Sequence, residues 1–176
     1  MQFNTYSSAG AHIAAEMVNA PGADASQLAA LFASYQVHRP HPSTAQVAEL
    51  RRWTDRLRAV FAAASLTEQA TLADALLTDS DCRLRLVGHD GLPFHLHYAP
   101  VATDLAARVR ALTAAGLAHV LADSDDSRLR ACQRSGCTHV FVDTSRNGRR
   151  RFCGIRCANQ VNVAKHRSRR RATSLP

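Results

Sequence analysis

Apolar positions in the first part of the chain recur three and four residues apart, give way to strict alternation, and then return to helical spacing. Asp24 or Ser26 can cap a predicted helix that runs to about Val37, with Leu28, Leu31, Phe32 and Tyr35 on one face. The segment HRPHP, residues 38–42, breaks the pattern. Ser43 followed by Gln46 has the capping-box spacing and opens the longest predicted helix, about Thr44 to Ala64. Its stripe is Val47, Leu50, Thr54, Leu57 and Phe61. Arg51, Arg52, Arg56 and Arg58 fall mostly off that stripe and read as a solvated face rather than a ligand contact. Thr67 is expected to cap a third helix to about Leu77, packing through Leu72, Leu76 and Leu77.

The period then changes to two. Cys82, Leu84 and Leu86 alternate with Arg83, Arg85 and Val87. After the Gly88-His89-Asp90-Gly91 turn, Leu92, Phe94, Leu96 and Tyr98 alternate with Pro93, His95 and His97. This pattern predicts a β-hairpin with one buried face. His95 and His97, with His89 nearby, have a spacing that some metal sites use, but the sequence offers no evident further ligand, and a solvent-facing pair is the simpler reading. Helical spacing resumes from about Val101 to Leu121, with Leu105, Val109, Leu112, Val120 and Leu121 apolar and Gly116 expected to bend or weaken the helix. At the other end of the chain, residues 12–20 fit a short strand or a helical turn that Pro21-Gly22 ends. The small and acidic run Asp123 to Ser127 marks a boundary, and Ala172 to Pro176 are expected to fray.

Charge divides the chain at that boundary. Residues 128–176 hold thirteen Arg or Lys and one acid, Asp143, for a net +12, whereas residues 1–127 hold nine bases and thirteen acids, for −4. A mildly acidic body joined to a strongly basic end points to a polyanion partner. No run approaches the roughly 18 apolar residues that span a bilayer, and the N-terminus does not read as a secretory signal, so a cytoplasmic, non-membrane protein is expected.

Four of the five cysteines stand in the basic end as Cys132-x4-Cys137 and Cys153-x3-Cys157, with fifteen residues between the pairs. Two short knuckles separated by a hairpin's length of chain can supply four thiolates in a tetrahedron, which is the preference of one structural Zn²⁺. Gly136 and Gly154 lie inside the knuckles, where tight turns are needed. Cys82 is left over and is expected to fill core rather than react. With all four places on the metal taken, no open position remains for water, and catalysis is not expected. The segment predicts a hairpin from about His139 to Phe152, with Phe141 and Phe152 filling a small core, and then a helix from about Ile155 to Arg171. Cys157, Val161 and Ala164 should face the metal. Arg156, Asn159, Gln160, Arg167 and Arg170 form a second stripe, broadened by Lys165 and Arg169. With Arg146, Arg149, Arg150, Arg151 and Arg171, these are the candidate nucleic-acid contacts. The arginines suit phosphate, whereas Asn159 and Gln160 suit either base edges or bracing of the knuckle. Some of Arg149, Arg150 and Arg151 are equally suited to offsetting the charge of the thiolates.

Cys132, Cys137, FVDTSRNGRRRFC (141–153) and CANQVNVAKHRSRRR (157–171) resemble the CGNR zinc-finger family of bacterial proteins. The naming tetrapeptide is here Cys157-Ala158-Asn159-Gln160, so the ligand and the asparagine remain while the glycine and arginine are replaced. The stretch AEMVNA (Ala15 to Ala20) looks like the opening motif of the ABATE domain that precedes such fingers, with Glu16 and Ala20 as departures. The resemblance implies an ABATE-like α/β regulatory domain over 1–126 and a CGNR-type finger over 127–176, in a protein regarded as a stress-induced transcription regulator. The expected architecture is α+β: a mainly helical N-terminal part with a β-hairpin, then a small treble-clef-like zinc finger. Duplex DNA is the expected partner of the finger. RNA polymerase, a small-molecule effector and a second copy of the chain are candidate partners of the body. An RNA- or ribosome-binding zinc protein and a protein-interaction module are the alternatives.

Overall fold

A computed structural model of the chain describes residues 5–88, 94–98, 104–123 and 126–173; residues 5–8, 95–97, 168, 169 and 171–173 are described in backbone only. Among the described residues the order is α1 (Thr5–Asn19), α2 (Ala25–Ser34), α3 (Thr44–Ala62), α4 (Leu66–Asp79), β1 (Arg85–Val87), β2 (His95–His97), α5 (Leu105–Ala122), β3 (Leu129–Ala131), β4 (Val140–Val142) and α6 (Ile155–Thr173). The class is α+β, as the spacing predicted.

Local chemistry sets most helix starts. Asp24, not Ser26, caps α2: its carboxylate accepts from the Gln27 N–H, and the Gln27 side chain accepts from the Asp24 N–H. Ser43 and Gln46 repeat that reciprocal box at α3. α2 ends at Ser34, earlier than expected, because Gln36 turns into the left-handed region (φ 57°) and Val37 N–H returns to the Phe32 carbonyl. α4 is capped by Ser65, whose hydroxyl accepts from the Glu68 N–H, so the expected Thr67 cap lies inside the first turn. Asp104 caps α5; the earlier start expected near Val101 falls outside the described residues.

The core gathers around the crossing of α1 and α5. α1 is buried on nearly every side, through Ala11, Ile13, Ala14, Ala15, Met17 and Val18. A helix buried all round shows no amphipathic period, which is why residues 12–20 fitted no single pattern. A β-carbon on Gly10 would lie 2.1 Å from the Leu112 carbonyl oxygen, and one on Gly116 would lie 2.3 Å from the Ala11 nitrogen. Gly116 therefore does not serve to bend α5. It lets two helix backbones touch. α5 is itself long and apolar enough to cross a membrane by those criteria, with a mean hydropathy of 1.3 over 18 residues, so the sequence reading undercounted it. Here its apolar length serves the core, packed by α1, α3 and α4. Trp53, absent from the expected stripe of α3, is buried and donates its indole N–H to the Thr113 hydroxyl at 2.9 Å.

The arginines of α3 are largely tied to the body. Arg51 donates to the Ala23 carbonyl, Arg58 to the Val18 carbonyl, and Arg56 pairs with Asp79 at 2.6 Å. The β1–β2 hairpin forms in antiparallel register, Leu86 opposite Leu96. Its apolar face was expected to be buried; among the described residues Leu84, Leu86 and Phe94 are instead 62%, 67% and 78% exposed, while Cys82 and Tyr98 are half-buried. Alternation identifies an apolar face but does not supply anything to cover it. His89, Leu92 and Pro93 lie outside the described residues, and the side chains of His95 and His97 are not described.

The β3–β4 hairpin docks on the helices. Leu129, Val140 and Val142 belong to the same apolar core as α1, α3 and α5. Asn19, the last residue of α1, both donates to the Val140 carbonyl (2.9 Å) and accepts from its N–H (2.8 Å), as a neighbouring strand would. Gln69 of α4 donates to the Leu129 carbonyl at 2.9 Å.

Because backbone atoms line the α1–α5 crossing, Gly116→Ala is expected to destabilise the protein by about 3 kcal/mol or more, read as a shift in the urea unfolding midpoint. Gly22→Ala, which meets nothing within 4 Å, should change it by less than about 1 kcal/mol.

Candidate metal centre

The first knuckle is the turn of the β3–β4 hairpin. Cys132 follows β3 directly, and the chain reverses through Gly136, whose φ of +75° favours glycine, before returning as β4. Cys132 N–H donates to the His139 carbonyl at 2.9 Å, and Cys137 N–H donates to the Arg134 carbonyl at 3.0 Å. This corrects the expected hairpin from His139 to Phe152. The upstream strand, Leu129–Ala131, lies before the first cysteine, and the register pairs Arg130 with Phe141. Phe141 is buried as expected, whereas Phe152 is only half-buried.

The second knuckle leads into α6. Cys153 precedes the helix and Cys157 stands in its first turn. Gly154 has an ordinary φ and open space around it, so it answers no turn requirement. The four sulfurs lie within 4.8 Å of one another. Cys137 to Cys153 is 3.8 Å, Cys153 to Cys157 is 3.6 Å and Cys157 to Cys137 is 3.9 Å. A tetrahedron with Zn–S bonds of about 2.3 Å has S···S edges of about 3.8 Å. These separations are too long for disulfides and fit one zinc ion. The donor set needs such a cation. The His139 N–H, helped by the neighbouring sulfurs, draws Cys137 down to about 7, but burial and the other thiols push Cys153 up to about 12. Four thiolates cannot coexist at neutral pH without a metal charge among them. The centre is a structural zinc site formed by Cys132, Cys137, Cys153 and Cys157. Cys82 stands apart, half-buried, with its thiol pKa raised by burial and by Asp81.

A tetrathiolate zinc carries a formal −2, and donors surround it. Arg134 gives its Nε–H to the Cys157 sulfur at 3.2 Å, and the Cys153 N–H points to the Cys132 sulfur at 3.4 Å. Arg134 escaped the sequence reading, although its place inside the first knuckle was a usable signal. Arg150 braces the second knuckle: it donates to the carbonyls of Phe152 and Cys153 and lies 4.8 Å above the Phe141 ring. Arg151 joins the knuckles through Gln133, donating at 2.6 Å to its side chain and accepting its N–H at 2.9 Å.

Between β4 and the second knuckle the chain winds around Asp143, whose side chain is fully buried. Its carboxylate accepts from the N–H and hydroxyl of Ser145 and from the Arg150 N–H, with Arg130 at 3.8 Å. Arg128 donates to the Asp143 and Ser145 carbonyls, closing the same loop. Burial opposes ionisation of Asp143, but these hydrogen bonds and the Arg130 charge outweigh it and hold the carboxyl below its usual range. Its contribution to stability is therefore complete above the unfolded value near 3.8 and is lost as pH falls through the lower folded value.

The candidate nucleic-acid residues fall in two places. Arg146, Arg149, Arg150 and Arg151 are exposed on the loop around Asp143 and its exit. Arg156, Asn159, Gln160, Lys165, Arg167 and Arg170 are exposed on α6; Arg169 and Arg171 are described in backbone only. Cys157, Ala158 and Val161 form the half-buried side of α6, while Ala164, expected beside the metal, is exposed. At about 3.6 residues per turn, Arg156, Asn159, Arg167 and Arg170 lie on the side away from Cys157 and Val161, Gln160 stands at its edge next to Cys157, and Lys165 lies off it.

Purified protein is expected to bind one zinc per chain by elemental analysis, Cys153→Ser to lose it, and Cys82→Ser to retain it. Arg134→Gln, which removes the donor to Cys157, should weaken zinc affinity by about tenfold in a chelator competition. Comparison with known proteins agrees with the chemistry: residues 128–170 match the family model of the CGNR zinc finger. A search of curated proteins finds no match. The C-terminal part of this chain, residues 128–170, is a CGNR zinc finger built around a four-cysteine zinc site.

Proposed function

We propose that the finger binds duplex DNA, with the outward side of α6 in or along the major groove, and that the protein acts as a transcription regulator. The observation that carries this reading is the sign of the finger's surface. Asp143 is the one acidic side chain among residues 128–176, and it is fully buried. Thirteen Arg or Lys share the segment, and several of them stand exposed on α6 and on the loop before it. An exposed face with cations and amides and no acidic side chain suits a phosphate backbone and the edges of bases. Arg128, Arg130, Arg134 and Arg150 make contacts inside the finger, and the exposed side chains of Arg156, Arg167 and Arg170 on α6 are the natural phosphate contacts.

Four cysteine sulfurs would fill every place on a tetrahedral zinc, which supports a binding role rather than a catalytic one. The helical body then holds the finger and is the candidate surface for an effector or for the transcription machinery.

For the zinc-loaded full chain on short duplexes, log affinity should fall with log salt at a slope of about −5 between about 50 and 200 mM, as expected for about six neutralised phosphates. Replacing Arg156, Arg167 and Arg170 together by alanine should make that slope shallower by about two to three. A slope near zero for the unmodified protein would sink the proposal.

A further inference from the structure

One side chain at the centre of the outward face of α6 has no part in phosphate binding. Val163 is 48% exposed and stands about one turn from Asn159 and Gln160 on one side and from Arg167 on the other. A β-branched residue lowers helix propensity slightly, and here nearly half of it stands open to solvent. Ile155, two turns earlier and 77% exposed, continues the same edge of the helix through Asn159. The face is thus a narrow apolar and amide strip bordered by Arg156, Arg167 and Arg170.

Counterion release gives such a strip no purpose, because it has no charge to contribute. The major groove of DNA does present an apolar group, the C5-methyl of thymine, and adenine beside it offers N6 and N7 to a side-chain amide. We propose that the outward face of α6 reads A·T base pairs in the major groove, with Val163 against a thymine methyl and Asn159 or Gln160 on adenine. This rests on the duplex-DNA reading above and makes it narrower. It also separates DNA from RNA, since uracil lacks the methyl and the deep, narrow major groove of A-form RNA does not admit side chains to its base edges.

The test compares alternating poly(dA-dT), poly(dA-dU) and poly(dG-dC) duplexes as competitors for the zinc-loaded full chain at one salt concentration. Poly(dA-dT) should compete better than poly(dA-dU), by about fourfold for each methyl contacted. Val163→Ser should abolish that preference with zinc content and circular dichroism unchanged, and Val163→Thr, which keeps one branch methyl, should retain part of it. Equal competition by the dA-dT and dA-dU polymers overturns the inference, as does a preference that persists in Val163→Ser. If the three duplexes bind alike with a steep salt dependence, base reading fails and DNA binding stands. If none binds in a salt-dependent way, both fail.

Discussion

Four sulfurs held within 4.8 Å of one another are the constraint on which the finger depends. Thiolates at that spacing repel, and only a shared cation makes the arrangement stable at neutral pH. The remaining −2 then calls for donors, and the backbone supplies two of them, the Cys153 N–H to the Cys132 sulfur and the His139 N–H to Cys137. Arg134 supplies another from within the first knuckle itself. The apolar support comes from elsewhere. Leu129, Val140 and Val142 face into the helical core, so the metal needs to organise the knuckles and the start of α6 but not a free-standing hydrophobic centre.

A second charge problem is solved in the loop before Cys153. The segment that carries +12 contains a single acid, and the chain closes around it. Asp143 accepts three hydrogen bonds and faces Arg130, an environment in which an ionised carboxylate is held without water. Turned inward, it organises the path from β4 to the second knuckle and takes its negative charge off the surface. One residue thereby accounts for the loop's conformation and for the absence of acidic side chains on the finger's exterior.

The parts of this structure that were legible in the sequence were those dictated by local chemistry. The capping box at Ser43, the stripe of α3, the cysteine spacing and the long helix after Cys153 depend on neighbours a few residues apart. What escaped depended on distant partners. α1 shows no helical period because α3, α5 and β4 cover it on several sides. Gly116 looks like a weak point in a helix until Gly10 is placed against it. Leu129–Ala131 is too short to show a period of its own and becomes a strand because Val140–Val142 pairs with it across the first knuckle. The hairpin's apolar face was readable, but its exposure was not, since burial is a property of what lies opposite. At the metal centre the ligands were legible and the outer donors were not: Arg134 is one arginine among thirteen basic residues until a sulfur is found 3.2 Å away.

Geometry links the metal to the proposed DNA surface. Among the described residues, α6 has no extensive packing with another helix or strand. Its first turn is fixed where Cys153 and Cys157 join the same cluster as the two cysteines of the hairpin turn. That hairpin is in turn fixed to the body by the Asn19 clamp on Val140 and by Gln69 on Leu129. The direction in which α6 projects is therefore transmitted through a short chain of contacts: body to hairpin, hairpin to metal, metal to helix. Asn19 ties the end of α1 to Val140 through two hydrogen bonds at once, so the hairpin that carries the first two cysteines is anchored to the core helix. The coordination centre is then the joint at which the hairpin, itself fixed to the body, meets the start of α6.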